Sequence, residues 1–546
     1  MISRHGLLVA ALCTACAFAT PAAFGSTKAM PGDPVGVDSG SLAGTELESG
    51  VRAYLGVPFA APPVRELRWR PPQAVTPWQG TYHADRTAPE CIQALRAHDI
   101  NHYFGEEATS EDCLYLNIWA PPRSSDAQSV PVVVWIYGGG FTIGSASMAN
   151  YNGEQLAKKG VVYVALAYRV GALGFLAHPE LTAESSQHAS GNYGFLDQIA
   201  ALQWIQRNIG RFGGDPHNVT IMGQSAGSAS VSILQASPLS RGLFHRAVGM
   251  SGCALGANMG RARLLSDAEQ WGRELQTILK ASSLAAMRQL PADRILAMQG
   301  TTGRYGPLVD GWLLPEDPNA IFAAGKQNDV PILIGYTRDE GFDAFNQAMT
   351  LADYRAQAER WGEHSADLLK LYPAKTDAEA RRAALDIARD ATLGLQMRTW
   401  ARAQTNKGKA PAYMYLFSRV HPYAPGVKFS DHDPATIGAY HTGDVPYWLR
   451  TLDSLNLFRT TRNWTAYDRE LATRMSDVIV SFARTGKPVL SGVDWPTYRS
   501  ADERVVELGD SVHVIPLPDS TKIDFLAAHP PRAPVMGEGA RPRNRD

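Results

Sequence analysis

At 546 residues the chain exceeds an average domain, and its 45% hydrophobic and 19% charged residues suit a large globular core. The formal net charge of −1 supplies no field to attract nucleic acid, an anionic membrane or a charged polymer, so none of these is an expected partner. The 49 glycines and 35 prolines are spread along the chain, which excludes a low-complexity protein, and no solenoid or propeller repeat is present.

Near the N-terminus, Arg4 and His5 precede an apolar run from Gly6 to Ala19, followed by small residues and Pro21. The run is too short to span a bilayer, and Ala23 to Gly25 offers a small-residue cleavage site. Residues 1–25 therefore read as a signal peptide, and the protein as secreted or periplasmic. A buried helix or membrane anchor is the competing reading. Cys13 stands where a lipoprotein signal has Leu, which argues against lipidation at Cys16. Cleavage leaves Cys91, Cys113 and Cys253 in an oxidising compartment, where Cys91 and Cys113 can close a loop of moderate length. Cys253 reads as a small buried residue. No later stretch is apolar for long enough to predict stable membrane insertion.

From about Pro34 to Phe525, short apolar runs rich in β-formers alternate with longer helical patterns. That alternation predicts an α/β protein with a mainly parallel central sheet flanked by helices. Val130 to Tyr137 and Val161 to Tyr168 are apolar nearly throughout, as strands buried on both faces should be. Asn218 to Gly223, Val330 to Gly335 and Ala412 to Phe417 are similar, and Gly194 to Ile209 has helical spacing. Helical patterning also fills Asp267 to Met298 and Leu351 to Ala403, which read as cap or side insertions. Residues 26–526 thus form the main domain, and 527–546, rich in Pro, Arg and Gly, read as a disordered tail.

Gly223-Gln224-Ser225-Ala226-Gly227 follows the Asn218 strand and leads into a small-residue stretch. A nucleophilic serine must project from a sharp strand-to-helix turn, and flanking glycines remove the side chains that would clash there. A bare G-x-S-x-G is common by chance; its place between a buried strand and a helix makes it specific. Gly138-Gly139-Gly140 directly follows the Val130 strand. Consecutive glycines can turn their amides toward a developing oxyanion. The competing phosphate-loop reading fails, because no Lys-Ser/Thr pair follows at the required spacing.

Serine needs a base, and the base an orienting carboxylate. Fourteen histidines compete for the first role. In the order Ser, acid, His, Glu340 lies just past the Val330 strand, with Asp339 its local rival. His441 lies past the Ala412 strand, with His421 and His432 as rivals. Position alone separates neither set.

These residues resemble the type-B carboxylesterase (cholinesterase-like) family of the α/β-hydrolase fold, over about Val51 to Tyr498. The landmarks are YLGVPFAAPP from Tyr54, SEDCLYLNIW from Ser110, VWIYGGGF from Val134 and YRVGALGFL from Tyr168. FGGDPHNVTIMGQSAGS from Phe212, the DEG at Asp339, GAYHTGDVPY around His441 and WPTY from Trp495 follow. The resemblance implies Ser225 as nucleophile, Glu340 rather than Asp339 as acid, and His441 as base. It also implies an oxyanion hole from the amides of Gly139, Gly140 and Ala226, and a Cys91–Cys113 disulfide. The expected substrate is a small-molecule carboxylic ester, cleaved through an acyl-enzyme; no cofactor and no metal are expected.

The family includes adhesion proteins that have lost the serine, but here every position of the triad is filled. Specialisation for an amide or a polyester shares the same chemistry, and only the pocket decides between them. Three departures stand out. Gln224 occupies the place where cholinesterases carry Glu, and the Cys91 to Cys113 segment has Tyr103 and Phe104 but no Trp. Both point away from a quaternary-ammonium substrate. Thr442 stands where Gly is usual, and nothing in the sequence interprets it.

Overall fold

The computed structural model describes residues 33–105, 108–123, 128–256, 262–300, 305–340 and 349–532. The expected signal peptide lies outside them. Of the expected tail, Ala527 and Ala528 complete the last helix, Ser520–Ala528, and residues 533–546 lie outside the described residues.

Eleven strands form the central sheet: β1 Thr45–Glu46, β2 Arg52–Pro58, β3 Tyr115–Ala120, β4 Val130–Ile136, β5 Val162–Leu166 and β6 Gly214–Gln224. The others are β7 Arg246–Met250, β8 Ile332–Thr337, β9 Ala412–Phe417, β10 Arg504–Leu508 and β11 Val512–Pro516. Their order is β11-β10-β9-β8-β7-β6-β4-β5-β3-β2-β1. Strands β5 to β10 and β4 run parallel to their neighbours within that block, while the pairs at both margins are antiparallel. This is the α/β-hydrolase architecture expected from the alternating pattern. The inner strands are buried on both faces, which is why β4 and β5 read as unbroken apolar runs.

Two differences from the sequence reading have local causes. Strand β6 begins at Gly214, before Asn218, because Gly214 pairs with Val130 across an irregularity that ends at Val219. The polar residues between them hide that start. Strand β7 (RAVGM) carries an arginine and a glycine in five residues, so its pattern is weak. Its place between β6 and β8 buries it all the same.

Helix α1, Tyr193–Asn208, and α2, Ala226–Ala236, cover the centre of the sheet. Every residue of α2 is buried, so its small side chains answer to close packing rather than to an amphipathic pattern. The first predicted helical insertion opens with α3, Leu265–Ile278. The second holds α4, Asp377–Arg389, and α5, Leu395–Lys407; Tyr354, Leu368, Tyr372 and Ala380 close a small core of its own. Helix α6, Ala466–Thr485, starts at a capping box of Thr465 and Asp468.

Register decides where chemistry can sit. Gly223 pairs with Ile136, Gln224 with Met250, and Met250 with Gly335. The carboxyl ends of β4, β6, β7 and β8 are therefore level, and the loops that leave them share one edge of the sheet.

Cys91 and Cys113 are joined by a disulfide that closes the loop between them, and Cys253 is buried and free. Such a bond persists in oxidising compartments such as the periplasm or cell exterior. Burial pushes the Cys253 thiol up to about 12, so it stays protonated and inert. Replacing Cys91 and Cys113 together by alanine is expected to lower stability by about 2–4 kcal/mol in the loop-entropy model. Denaturant midpoints check this, with native alkylation leaving Cys253 unlabelled.

Candidate active site

Ser225 sits between β6 and α2 with φ 57° and ψ −123°, a conformation that side chains disfavour. Its amide donates to Met250 O at 2.8 Å, which fixes the turn to the end of β7. A Cβ on Gly227 would lie 2.1 Å from Ile136 O, and one on Gly223 2.5 Å from the Gly227 carbonyl. Only glycine lets the turn rest on the end of β4.

The loop after β4 lies against the same serine. A Cβ on Gly138 would fall 3.0 Å from Ser225 Cβ and 2.5 Å from Gln224 O. Gly139, at φ 110°, accepts from the amides of Thr142 and Ile143 at 3.1 Å, closing a tight turn. Phe141 packs edge-to-face on Phe175 and Phe195 beneath this turn. Among the described residues, no acceptor takes the amides of Gly139, Gly140 or Ala226. Ala226 opens α2, whose N-terminus adds its partial positive charge next to Ser225.

Glu340 lies three residues past the end of β8 and is fully buried. Its Oε1 accepts from Thr337 N at 2.8 Å and from the Ser251 hydroxyl. Its Oε2 is 2.5 Å from His441 Nδ1. That contact sets the tautomer: Nδ1–H donates to the carboxylate, and Nε2 keeps its lone pair. The Gln224 side-chain amide donates to Nε2 at 3.1 Å.

The rivals serve elsewhere. Asp339 binds Arg338 and Arg382, and it accepts from Ala439 N at 2.7 Å while its own amide donates to Ala439 O at 3.0 Å. Burial disfavours its charge, but the Arg382 and Arg338 guanidinium groups outweigh it and hold the carboxyl below the usual range. It stitches the loop carrying Glu340 to the loop carrying His441. His421 donates through Nε2 to Gly443 O at 2.7 Å and accepts from Tyr440 OH at 3.2 Å. His432 is bonded to Tyr423 OH and Asp431.

Beneath the site, Asp444 is buried and accepts from Tyr415 OH at 2.7 Å and Trp448 Nε1 at 3.2 Å. Burial pushes its pKa up to about 6; the Tyr415 bond opposes this and the Glu340 charge adds to it.

Ser225, Glu340, His441, Gly139 and Gly140 stand on loops beyond the strands, and Ala226 is the first residue of α2. The sequence reading passed over Ser251, which follows β7 as Ser225 follows β6. A small polar residue just past a parallel strand was its only signal. The loop-holding roles of Asp339 and His421 had no signal at all, since both contacts join segments far apart in sequence.

A model of the carboxylesterase family matches residues 33–526. The chain belongs to that family. Fumonisin B1 esterase of Sphingopyxis macrogoltabida is 38% identical over 492 residues, covering 87% of this chain and 86% of the relative. Para-nitrobenzyl esterase of Bacillus subtilis (strain 168) is 31% identical over 501 residues, covering 88% and 96%. A solved PNB esterase superposes with a TM-score of 0.77 at 30% identity, over 90% of this chain and 99% of that one. This carboxylesterase is accordingly a carboxylic ester hydrolase of α/β-hydrolase fold. No helix among its described residues is long and apolar enough to cross a membrane.

Burial and the Arg462 charge hold His421 well below its ordinary pKa, so the folded protein keeps it neutral. Below about pH 6.5 the unfolded chain binds this proton and the folded one does not. The stability that His421 contributes should therefore be complete above that pH and decline by up to about 1.4 kcal/mol per unit below it. Unfolding free energies of wild type and His421→Gln at pH 7.5, 6.5 and 5.5 are expected to converge as pH falls.

Proposed function

We propose that this carboxylesterase cleaves its esters through a Ser225–Glu340–His441 triad and an acyl-enzyme, with Gly139, Gly140 and Ala226 as the oxyanion hole. The observation that carries the reading is the 2.5 Å contact of buried Glu340 with His441 Nδ1, with Nε2 of the same ring 3.1 Å from the Gln224 side-chain amide. On substrate binding, Nε2 exchanges its Gln224 bond for the Ser225 hydroxyl. His441 takes that proton as Oγ attacks the ester carbonyl, and the three amides receive the oxyanion. The imidazolium then protonates the departing alkoxide, and the alcohol leaves. Water attacks the acyl-serine by the same route in reverse and frees the acid.

Ser225→Ala is expected to lower kcat by roughly 10⁴–10⁶-fold with the fold intact, and Glu340→Gln by about 10⁴-fold. Asp339→Asn should instead act mainly on stability. Steady-state rates beside circular dichroism check all three, and a serine-directed phosphonate should label wild type but not Ser225→Ala. Near-normal turnover by a folded Ser225→Ala variant would refute the assignment.

The substrates are read as neutral esters. A quaternary cation is held by aromatic faces and nearby negative charge. Here Gln224 is neutral and is engaged with His441, and Tyr103 packs on His98 and Phe458. A choline ester should show no higher kcat/KM than its isostere with carbon in place of the ammonium nitrogen. A clear preference for the cation would overturn this. The substrate panel should include fumonisin B1, the compound in the name of one relative.

A further inference from the structure

Thr442, next to His441, has φ 75°, a left-handed backbone that a β-branched residue rarely adopts. Such strain persists only where surrounding contacts impose it, and at functional loops it often serves a purpose. Gly443 N donates to Tyr440 O at 2.8 Å, closing a turn with Thr442 at its third position, and one side-chain contact also engages Thr442 there. The Thr442 hydroxyl lies 2.5 Å from His102 Nε2. His102 belongs to the loop closed by the Cys91–Cys113 disulfide, more than three hundred residues away in sequence.

The His102 side of this contact is itself held firmly. Its ring packs on Tyr440 at 5.6 Å and Phe104 at 6.3 Å. The adjoining Asn101 donates from its amide to Asp431 at 2.9 Å and accepts from the Arg462 guanidinium. Ser430 and Asp99 add a backbone bond of 3.1 Å and a side-chain bond of 2.8 Å. Burial, Arg462, His432 and His441 all disfavour a charge on His102, against Asp431 alone, so the ring stays neutral. A neutral imidazole pairs with a hydroxyl in either tautomer, without placing a second positive charge beside the imidazolium that His441 becomes.

We propose that the Thr442–His102 hydrogen bond is a clamp through which the disulfide-closed loop fixes the orientation of His441, making Thr442 a positioning residue for the base. Glu340 fixes one end of the His441 ring, and Asp339 and His421 hold the backbone on either side of it. Thr442 adds the tie to a separate, covalently closed loop. The inference rests on the reading of His441 as base.

The test uses Thr442→Ser, Thr442→Ala and Thr442→Gly in the full chain, with circular dichroism and intact disulfide confirmed for each. Thr442→Ala and Thr442→Gly are expected to lose about 10- to 100-fold in kcat on a neutral ester, with KM within about twofold, as for a base held out of line. The acid-limb pKa of kcat/KM should shift with them, and Thr442→Ser should restore both. Glycine removes the backbone strain, so a purely structural role leaves Thr442→Gly at least as active as wild type. That result overturns the proposal. Removing the disulfide should slow wild type but add little to Thr442→Gly; fully additive losses also overturn it. His441→Ala, run alongside, separates the two readings. An inactive His441→Ala beside a fully active Thr442→Gly refutes the clamp alone, whereas an active His441→Ala refutes the base and the clamp together.

Discussion

The backbone of β6 turns into α2 so close to the end of β4 that a single methyl group on Gly227 would meet Ile136 O at 2.1 Å. The crowding continues around the serine. A Cβ on Gly252 would lie 2.5 Å from Ser225 O, and one on Gly138 2.5 Å from Gln224 O. The ends of β4, β6 and β7 therefore meet Ser225 backbone to backbone. This packing holds the serine at φ 57°. Parallel strands of matched register make the arrangement possible, because their carboxyl ends come level at one edge.

Around that fixed turn, the other groups are held by chemistry suited to a dry site. Glu340 is fully buried, yet its oxygens are satisfied by Thr337 N, Ser251 and His441. A carboxylate so bonded keeps its place without water. Asp444, also buried nearby, accepts from Tyr415 OH and Trp448 Nε1, and burial raises its pKa. The histidines His102 and His421 stay neutral for the same reason of burial, so the loop bearing His441 is shaped by hydrogen bonds rather than by competing positive charges.

Gln224 illustrates how one atom near the serine reaches beyond packing. Its amide donates to His441 Nε2 at 3.1 Å. A carboxylate there would attract a cation. A neutral amide leaves the pocket without that attraction.

The fold and the turn at Ser225 were legible because they rest on local pattern. Continuous apolar runs mark strands buried on both faces, and glycines two before and two after Ser225 mark a turn with no room for side chains. The rest depends on contacts between distant segments. Glu340 and Asp339 are adjacent and chemically alike, and only the tertiary structure turns one toward His441 and the other toward Ala439. Likewise Thr442 is an unexplained departure in the sequence, since its partner His102 lies in a loop far upstream. Sequence determined which residues have the right chemistry, because periodicity and glycine spacing are written locally. Tertiary structure alone decided which of them meet, because a hydrogen bond is fixed by direction and by a few tenths of an ångström that no linear pattern contains.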